Sequence, residues 1–251
     1  MCIIVFKPKN RNMPSDEIIK RCFETNPNGA GLMYRYDNKI HIKKGFMTVD
    51  TLINCINEIK QTVNLKKTDV CLHFRISTTG STIPQNCHPF PLSNNIDDLK
   101  SLEITTDKAI AHNGILNDYS KLHNDQTDMS DTMYFSKMLS GVNDRFLQNV
   151  ISAHAINSRF VLMTVKKTIS WGLINDKGIL YSNTSYRIYN TPTNQFSQWE
   201  YLQNKYPYNK DDRQTDLNDL IHKADNQISD SQEERRKFER YLRSDTPLYS
   251  L

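Results

Sequence analysis

Little in this 251-residue chain suits a membrane. No stretch approaches the ~18 apolar residues of a spanning helix. The apolar opening runs about five residues before Lys7, too short for the core of a secretory leader. Cys-x-x-Cys is absent. The five cysteines (Cys2, Cys22, Cys55, Cys71 and Cys87) are odd in number and widely spaced. That speaks against a disulfide framework or a zinc knuckle and fits a reducing, cytoplasmic setting. The seven histidines show no His-Glu-x-x-His spacing, so neither a metal nor another cofactor is expected. No Lys/Arg cluster is interleaved with aromatics and the net charge is only +4, so no nucleic-acid partner is expected. There is no internal repeat.

What is present is a hydrophobic fraction of 37%, low overall but gathered into blocks. The length allows one large domain, or a domain with an appendage. Residues 2–6 read as a short buried strand. Asn26-Pro27-Asn28-Gly29 marks a turn. Residues 30–36 and 39–43 read as strands joined by Asp37-Asn38, a hairpin signal. Over 51–63, Leu52, Ile53, Ile56, Ile59 and Val63 recur at helical spacing. Residues 69–77 read as a strand, then a polar loop runs to about 107. Residues 108–112 form another strand. Ser130 suits the N-cap of a helix ending near 139, and 144–154 suits a second helix. Residues 159–165, 169–174 and 178–181 read as an antiparallel meander. From about 191 the chain turns polar, and 216–243 is charged with sparse apolar contacts. The division expected is a domain over 1–190 and an appendage over 191–251. The element order predicts an α+β protein with two stacked, mostly antiparallel sheets and helices outside.

Cys2 follows the initiator directly. Trimming of Met1 would leave a thiol and an α-amine on one residue. Their reference pKa values are ~8.5 and ~7.7–8.0, so each is partly in its useful form near neutrality. An N-terminal amine can activate its own side chain as a nucleophile. A cysteine in a first core strand is the plainer reading of that position.

Three further segments bear on chemistry: His73-Phe74-Arg75-Ile76-Ser77-Thr78-Thr79-Gly80 with Asn86-Cys87-His88-Pro89-Phe90, then Ala111-His112-Asn113-Gly114, then Ser130-Asp131-Thr132. Arg75 at a strand end can grip a carboxylate with its guanidinium fork, with Thr78 adding a hydroxyl. It can equally be a surface arginine paired with an acid. The Asn113 amide and the Gly114 N–H can converge on one oxygen as an oxyanion hole, or form an ordinary turn. Asp131 in a first helical turn can accept from an ammonium, or simply favour the helix dipole. Taken together with Cys2 they describe a slot for an amino acid, with a nucleophile placed to reach a side-chain carbonyl. Glutamine and γ-glutamyl compounds fit that description.

On these residues the chain resembles the class II glutamine amidotransferases, of the N-terminal-nucleophile hydrolase fold. The matching patterns are Cys2 after Met1, the Gly-rich segment at 26–31, His-x-Arg-x-x-Thr-x-Gly at 73–80, His-Asn-Gly at 112–114 and Ser-Asp-Thr at 130–132. The stretch at 86–90 is most similar to the stand-alone branch. Thr79 stands where several members have histidine, and Phe74 where they have tryptophan. The resemblance covers about 2–190. It implies a four-layer αββα sandwich, with Cys2 as nucleophile and its α-amine as base. It implies that Asn113 and Gly114 hold the oxyanion, that Arg75, Thr78 and Thr79 bind substrate, and that Asp131 takes the ammonium. The 74–80 loop would close over glutamine. His73 and His112 read as structural, and Cys22, Cys55 and Cys71 as core thiols. Three functions remain open: a glutaminase subunit feeding a separate synthetase, a free-standing γ-glutamyl amide or peptide hydrolase, and an inactive binding or regulatory protein with this fold.

Overall fold

The computed structural model describes residues 1–77, 81–120 and 128–188. The expected appendage at 191–251 lies outside them. In chain order the elements are β1 (Ile3–Lys7), α1 (Asp16–Thr25), β2 (Ala30–Tyr36), β3 (Lys39–Phe46), α2 (Val49–Thr62), β4 (Val70–Phe74), β5 (Phe90–Pro91), α3 (Ile96–Lys100), β6 (Glu103–Thr106), β7 (Lys108–Asn113), α4 (Asn117–Ser120), α5 (Asp131–Ser140), α6 (Asp144–His154), β8 (Arg159–Thr164), β9 (Thr168–Trp171), β10 (Ile174–Asp176) and β11 (Ile179–Tyr181).

Local chemistry sets several boundaries. Ser15 Oγ accepts from the Ile18 N–H and caps α1, with Asp16 and Glu17 complementing the positive helix end. Thr48 caps α2 in the same way through Thr51 N–H. Asp37 and Asn38 take φ of 48° and 56°, the pair of left-handed conformations that a tight two-residue hairpin needs between β2 and β3.

The strands form a seven-stranded sheet, β10-β11-β1-β4-β2-β3-β6, and a four-stranded sheet, β5-β7-β8-β9. Every pairing in both is antiparallel. The protein is therefore α+β with two antiparallel sheets. Alternation along the strands divides the core. Ile3 and Val5 of β1 pack with Leu32, Leu72 and the apolar faces of α1 and α2. Ile4 and Phe6 point the other way, with Met33, Ile42 and Cys71, onto Ala109, Ala111, Val161 and Met163 of the second sheet. The far side of that sheet, through Ile110, Phe160 and Leu162, meets Phe135 and Leu139 of α5 and Leu147 and Ile151 of α6. A fully buried side chain of this size contributes about 1.5–3 kcal/mol, so each layer contact is strongly favoured.

Three expectations are corrected. The meander does not stay in one sheet: β8 and β9 pair in the smaller sheet, whereas β10 and β11 join the larger one beside β1. The segment read as a loop to 107 contains β5, α3 and β6, which are too short for periodicity to reveal. Helix α1 was not expected at all. Its apolar face, Ile19, Cys22 and Phe23, is narrow and is buried against the first sheet. Among the described residues no helix is long and apolar enough to cross a membrane.

Candidate active site

Strand β1 pairs with β4 so that Ile3 faces Phe74, which sets Cys2 at the same edge as Arg75 and Ile76. Cys2 is partly buried. Its Sγ accepts from the Ile76 N–H at 3.4 Å and can donate to the Ile76 carbonyl at 3.4 Å. Burial pushes the thiol above its ordinary value, while the Ile76 backbone, the chain's amino terminus and the Arg75 guanidinium pull it back. Met1 precedes it and is 71% exposed.

Arg75 continues from β4 and is only 4% exposed. Its main chain extends the ladder toward the 26–31 segment: Arg75 N–H donates to Gly29 O at 2.8 Å, and Asn28 N–H donates to Arg75 O at 3.0 Å. The guanidinium donates from Nη1 to Ser81 O at 3.0 Å and from Nη2 to Ser77 Oγ at 3.1 Å. Ser81 is held in turn by Asp128, which accepts from its N–H at 3.4 Å and from its hydroxyl, and by Asn86 Nδ2 at 3.1 Å to its carbonyl. Arg75 is therefore a braced interior cation and not a surface residue. Cys87 Sγ lies 4.0 Å from Asn28 O on the same flank. Burial raises its thiol pKa, and Arg75 and Lys44 oppose that.

Asn113 ends β7 in the second sheet and is 4% exposed. Its Nδ2 donates to Ser182 Oγ at 2.8 Å. That same oxygen accepts from the Ile4 N–H at 2.8 Å, and Ser182 N–H donates to Ile4 O at 3.0 Å. Asn183 Nδ2 donates to the Cys2 carbonyl at 2.8 Å. Gly114 takes φ +152°, and a Cβ there would lie 2.3 Å from Ser158 Oγ and 2.9 Å from His112 Nε2. Only glycine fits between those groups.

Asp131 opens α5 behind the Ser130 cap, whose Oγ accepts from Met133 N–H at 3.2 Å. Asp131 is 5% exposed. Oδ2 accepts from Leu116 N–H at 2.9 Å; Oδ1 accepts from Thr132 N–H at 2.6 Å and from Thr132 Oγ1 at 3.2 Å. A carboxylate offers about four acceptor positions, and these contacts leave one on Oδ2. Asp131 thus ties α5 to the turn that carries Gly114.

Three histidines gather around the His112 carbonyl and ring, next to Asn113 in sequence. His73 Nε2 and His88 Nδ1 both approach His112 O, at 3.0 and 2.9 Å. A carbonyl only accepts, so both nitrogens carry hydrogen. The His112 ring spans Thr132 Oγ1 at 2.9 Å and Ser158 Oγ at 3.0 Å. Burial pushes His73 and His112 down to about 3 and His88 well below its ordinary value. All three are neutral at pH 7, as suits framework residues. Cys22 and Cys55 lie in the helix-side core and Cys71 between the sheets.

Strand pairing thus brings Cys2 beside Arg75, while Ser182 links β1 to Asn113, and Leu116 with Thr132 links Asp131 to the Gly114 turn. Thr78 and Thr79 lie outside the described residues. Ser182, Asn183, Ser158 and Ser81 were not singled out from the sequence. The first two reach the site only because β11 pairs with β1, which no local signal announces. Two surface hollows, of about 720 and 490 Å³, lie along residues 12–16 with 60–66 and around Lys108 and Arg145; neither is lined by Cys2, Arg75, Asn113 or Asp131. Among the described residues no cluster of His, Cys, Asp and Glu is placed to hold a metal ion.

The chain is similar to a solved amidotransferase. That protein is the glutamine phosphoribosylpyrophosphate amidotransferase from B. subtilis, in complex with ADP and GMP, at 17% identity and a TM-score of 0.40. The likeness covers 74% of this chain and 42% of the other, so the chain spans less than half of that enzyme's length. No protein-family model matches the chain, and no curated protein matches it.

Proposed function

We propose that the chain is a glutamine amidotransferase-type hydrolase with a four-layer αββα N-terminal-nucleophile architecture and Cys2 as its nucleophile. One observation carries the reading. The Cys2 sulfur sits against the Ile76 N–H, one residue from a buried, braced Arg75. A buried guanidinium beside a thiol suits a site that binds a carboxylate and uses the sulfur nearby.

In this reading Met1 is removed and the amine of Cys2 takes the thiol proton. The sulfur attacks the γ-amide carbon of glutamine. The resulting oxyanion is held by the Nδ2 hydrogen of Asn113 that Ser182 does not use, together with the Gly114 N–H. Two such donors are worth roughly 2.7–4 kcal/mol of barrier apiece. The C–N bond breaks as the ammonium returns its proton to the departing ammonia. Water, deprotonated by the same amine, then cleaves the thioester, releasing glutamate and restoring the thiol. Arg75, with Thr78 and Thr79, binds the substrate α-carboxylate. The open position on Asp131 Oδ2 accepts from the α-ammonium.

The test is ammonia release from glutamine by the full chain after intact mass has verified loss of Met1. Cys2→Ala abolishes it; turnover retained in that variant rejects the nucleophile. Full-rate release by the isolated chain assigns a self-contained γ-glutamyl hydrolase. Release that rises on adding a synthetase assigns a subunit that exports ammonia.

A further inference from the structure

We propose that Ser182 and Asn183 form a clasp that fixes the oxyanion amide relative to the nucleophile, making them positioning residues for the reaction. The inference deepens the glutaminase reading and rests on it for its catalytic meaning. Its geometric content stands alone.

The two halves of the site come from different sheets. Cys2 heads β1 in the larger one and Asn113 ends β7 in the smaller one. Between sheets there is no backbone ladder to set their separation. Side-chain packing alone allows the drift that costs a catalytic site about a hundredfold when it reaches ~1 Å. Ser182 bridges the gap. Its Oγ accepts from Ile4 N–H and from Asn113 Nδ2, both at 2.8 Å, and its N–H donates to Ile4 O at 3.0 Å. The hydroxyl thus stands where a neighbouring strand's carbonyl would normally complete the ladder, and it lends its second lone pair to the amide. The next residue completes the clasp. Asn183 Nδ2 donates to Cys2 O at 2.8 Å, and its Oδ1 is steadied by Ser185 N–H at 3.0 Å and Ser185 Oγ at 2.6 Å. Consecutive residues therefore hold both ends of the nucleophile–oxyanion axis.

The bond goes with one orientation of the Asn113 amide. An amide side chain presents oxygen and nitrogen with almost equal ease, and only nitrogen serves an oxyanion. In the structure the nitrogen faces Ser182, whose two lone pairs then serve Ile4 N–H and Asn113 Nδ2. The remaining hydroxyl hydrogen is then directed away from both donors. The second Nδ2 hydrogen of Asn113 is left for the substrate.

The experiment uses the full, Met1-trimmed chain and reads two quantities. One is hydrogen exchange at the Asn113 side-chain amide by NMR. The other is the kcat and KM of glutamine hydrolysis. In the wild type one Asn113 Nδ2 hydrogen exchanges slowly. In Ser182→Ala that protection is lost and kcat falls about tenfold to a hundredfold, with KM within about twofold. Ser182→Thr, which restores the hydroxyl, recovers both. Ser182→Cys keeps the volume but accepts weakly; it gives intermediate values and serves if the alanine variant does not fold. Free exchange of both Asn113 hydrogens in the wild type overturns the clasp, as does unaltered kcat in folded Ser182→Ala. If the wild type releases no ammonia while the exchange pattern is as described, the glutaminase reading falls and the clasp stands.

Discussion

Lowering the pH from 7 to 5 should strip much of this protein's stability. The cause is the buried histidine group around the His112 carbonyl. His73 and His112 are neutral when folded, with pKa values pushed down to about 3 against an ordinary 6.5. Between those values the unfolded chain binds protons that the folded chain refuses, so stability falls as pH falls. At pH 5 the loss depends almost wholly on the unfolded pKa, because the folded value lies far lower. Each histidine then gives up about 2 kcal/mol between pH 7 and 5, and the two together about 4 kcal/mol. His88 adds a loss of the same sign, since burial lowers it as well. Domains are commonly stable by only about 5–15 kcal/mol, so the effect is large. Urea unfolding at pH 7 and pH 5 measures it as a drop in midpoint at constant m. His73→Gln keeps a donor near the Nε2 position toward His112 O and should shrink the drop by about 2 kcal/mol. Equal midpoints at the two pH values would refute the claim that these rings are buried and neutral.

Other expectations follow from the same contacts. Gly114→Ala forces a Cβ into Ser158 Oγ at 2.3 Å, so it should lower kcat for glutamine about a hundredfold or more and cost about 1–3 kcal/mol of stability in thermal unfolding. Arg75→Lys removes the fork to Ser81 and Ser77; KM should rise by about tenfold to a hundredfold for substrates with a free α-carboxylate, and a matching rise for substrates without one would contradict its role. Iodoacetamide labelling of Cys2, followed by mass spectrometry in protein that retains Met1, should speed up with pH and show its inflection above that of a free cysteine, because burial favours the neutral thiol. An inflection below that value would mean a more solvated or more cationic setting than the structure has.

Local pattern made some of this fold legible and hid the rest. Strand β2 runs over Ala30–Tyr36 and helix α6 over Asp144–His154, the spans that hydrophobic periodicity suggests, and Ser130 does cap α5. The stretch 169–174 looks like one strand, but Gly172 sits at φ +69° and breaks it. Trp171 ends β9 in one sheet and Ile174 begins β10 in the other. Periodicity reports which face of a strand is apolar; it says nothing of which sheet that face joins. The site divides in the same way. Cys2, Arg75, Asn113 and Asp131 belong to short motifs whose residue types already suggest a chemistry. Ser182 and Asn183 lie in the polar run Ser182-Asn183-Thr184-Ser185, and only the pairing of Val5 with Tyr181 brings them to Cys2. Asp131 shows the limit of reading by type. Its position in a first helical turn was visible, but its hold on Leu116 N–H required the folded chain.

The order in which a ribosome delivers these strands has a consequence. Strand β1 emerges first, yet the bond from Ile4 to Ser182 spans 178 residues of sequence. At about 5–20 residues per second, its last neighbour arrives on the order of ten seconds or more later. Throughout that interval one edge of β1 is uncovered. Nascent chains halted ahead of residue 179 should therefore show faster amide hydrogen exchange at Ile4 than the full-length protein, where Ser182 accepts from that N–H.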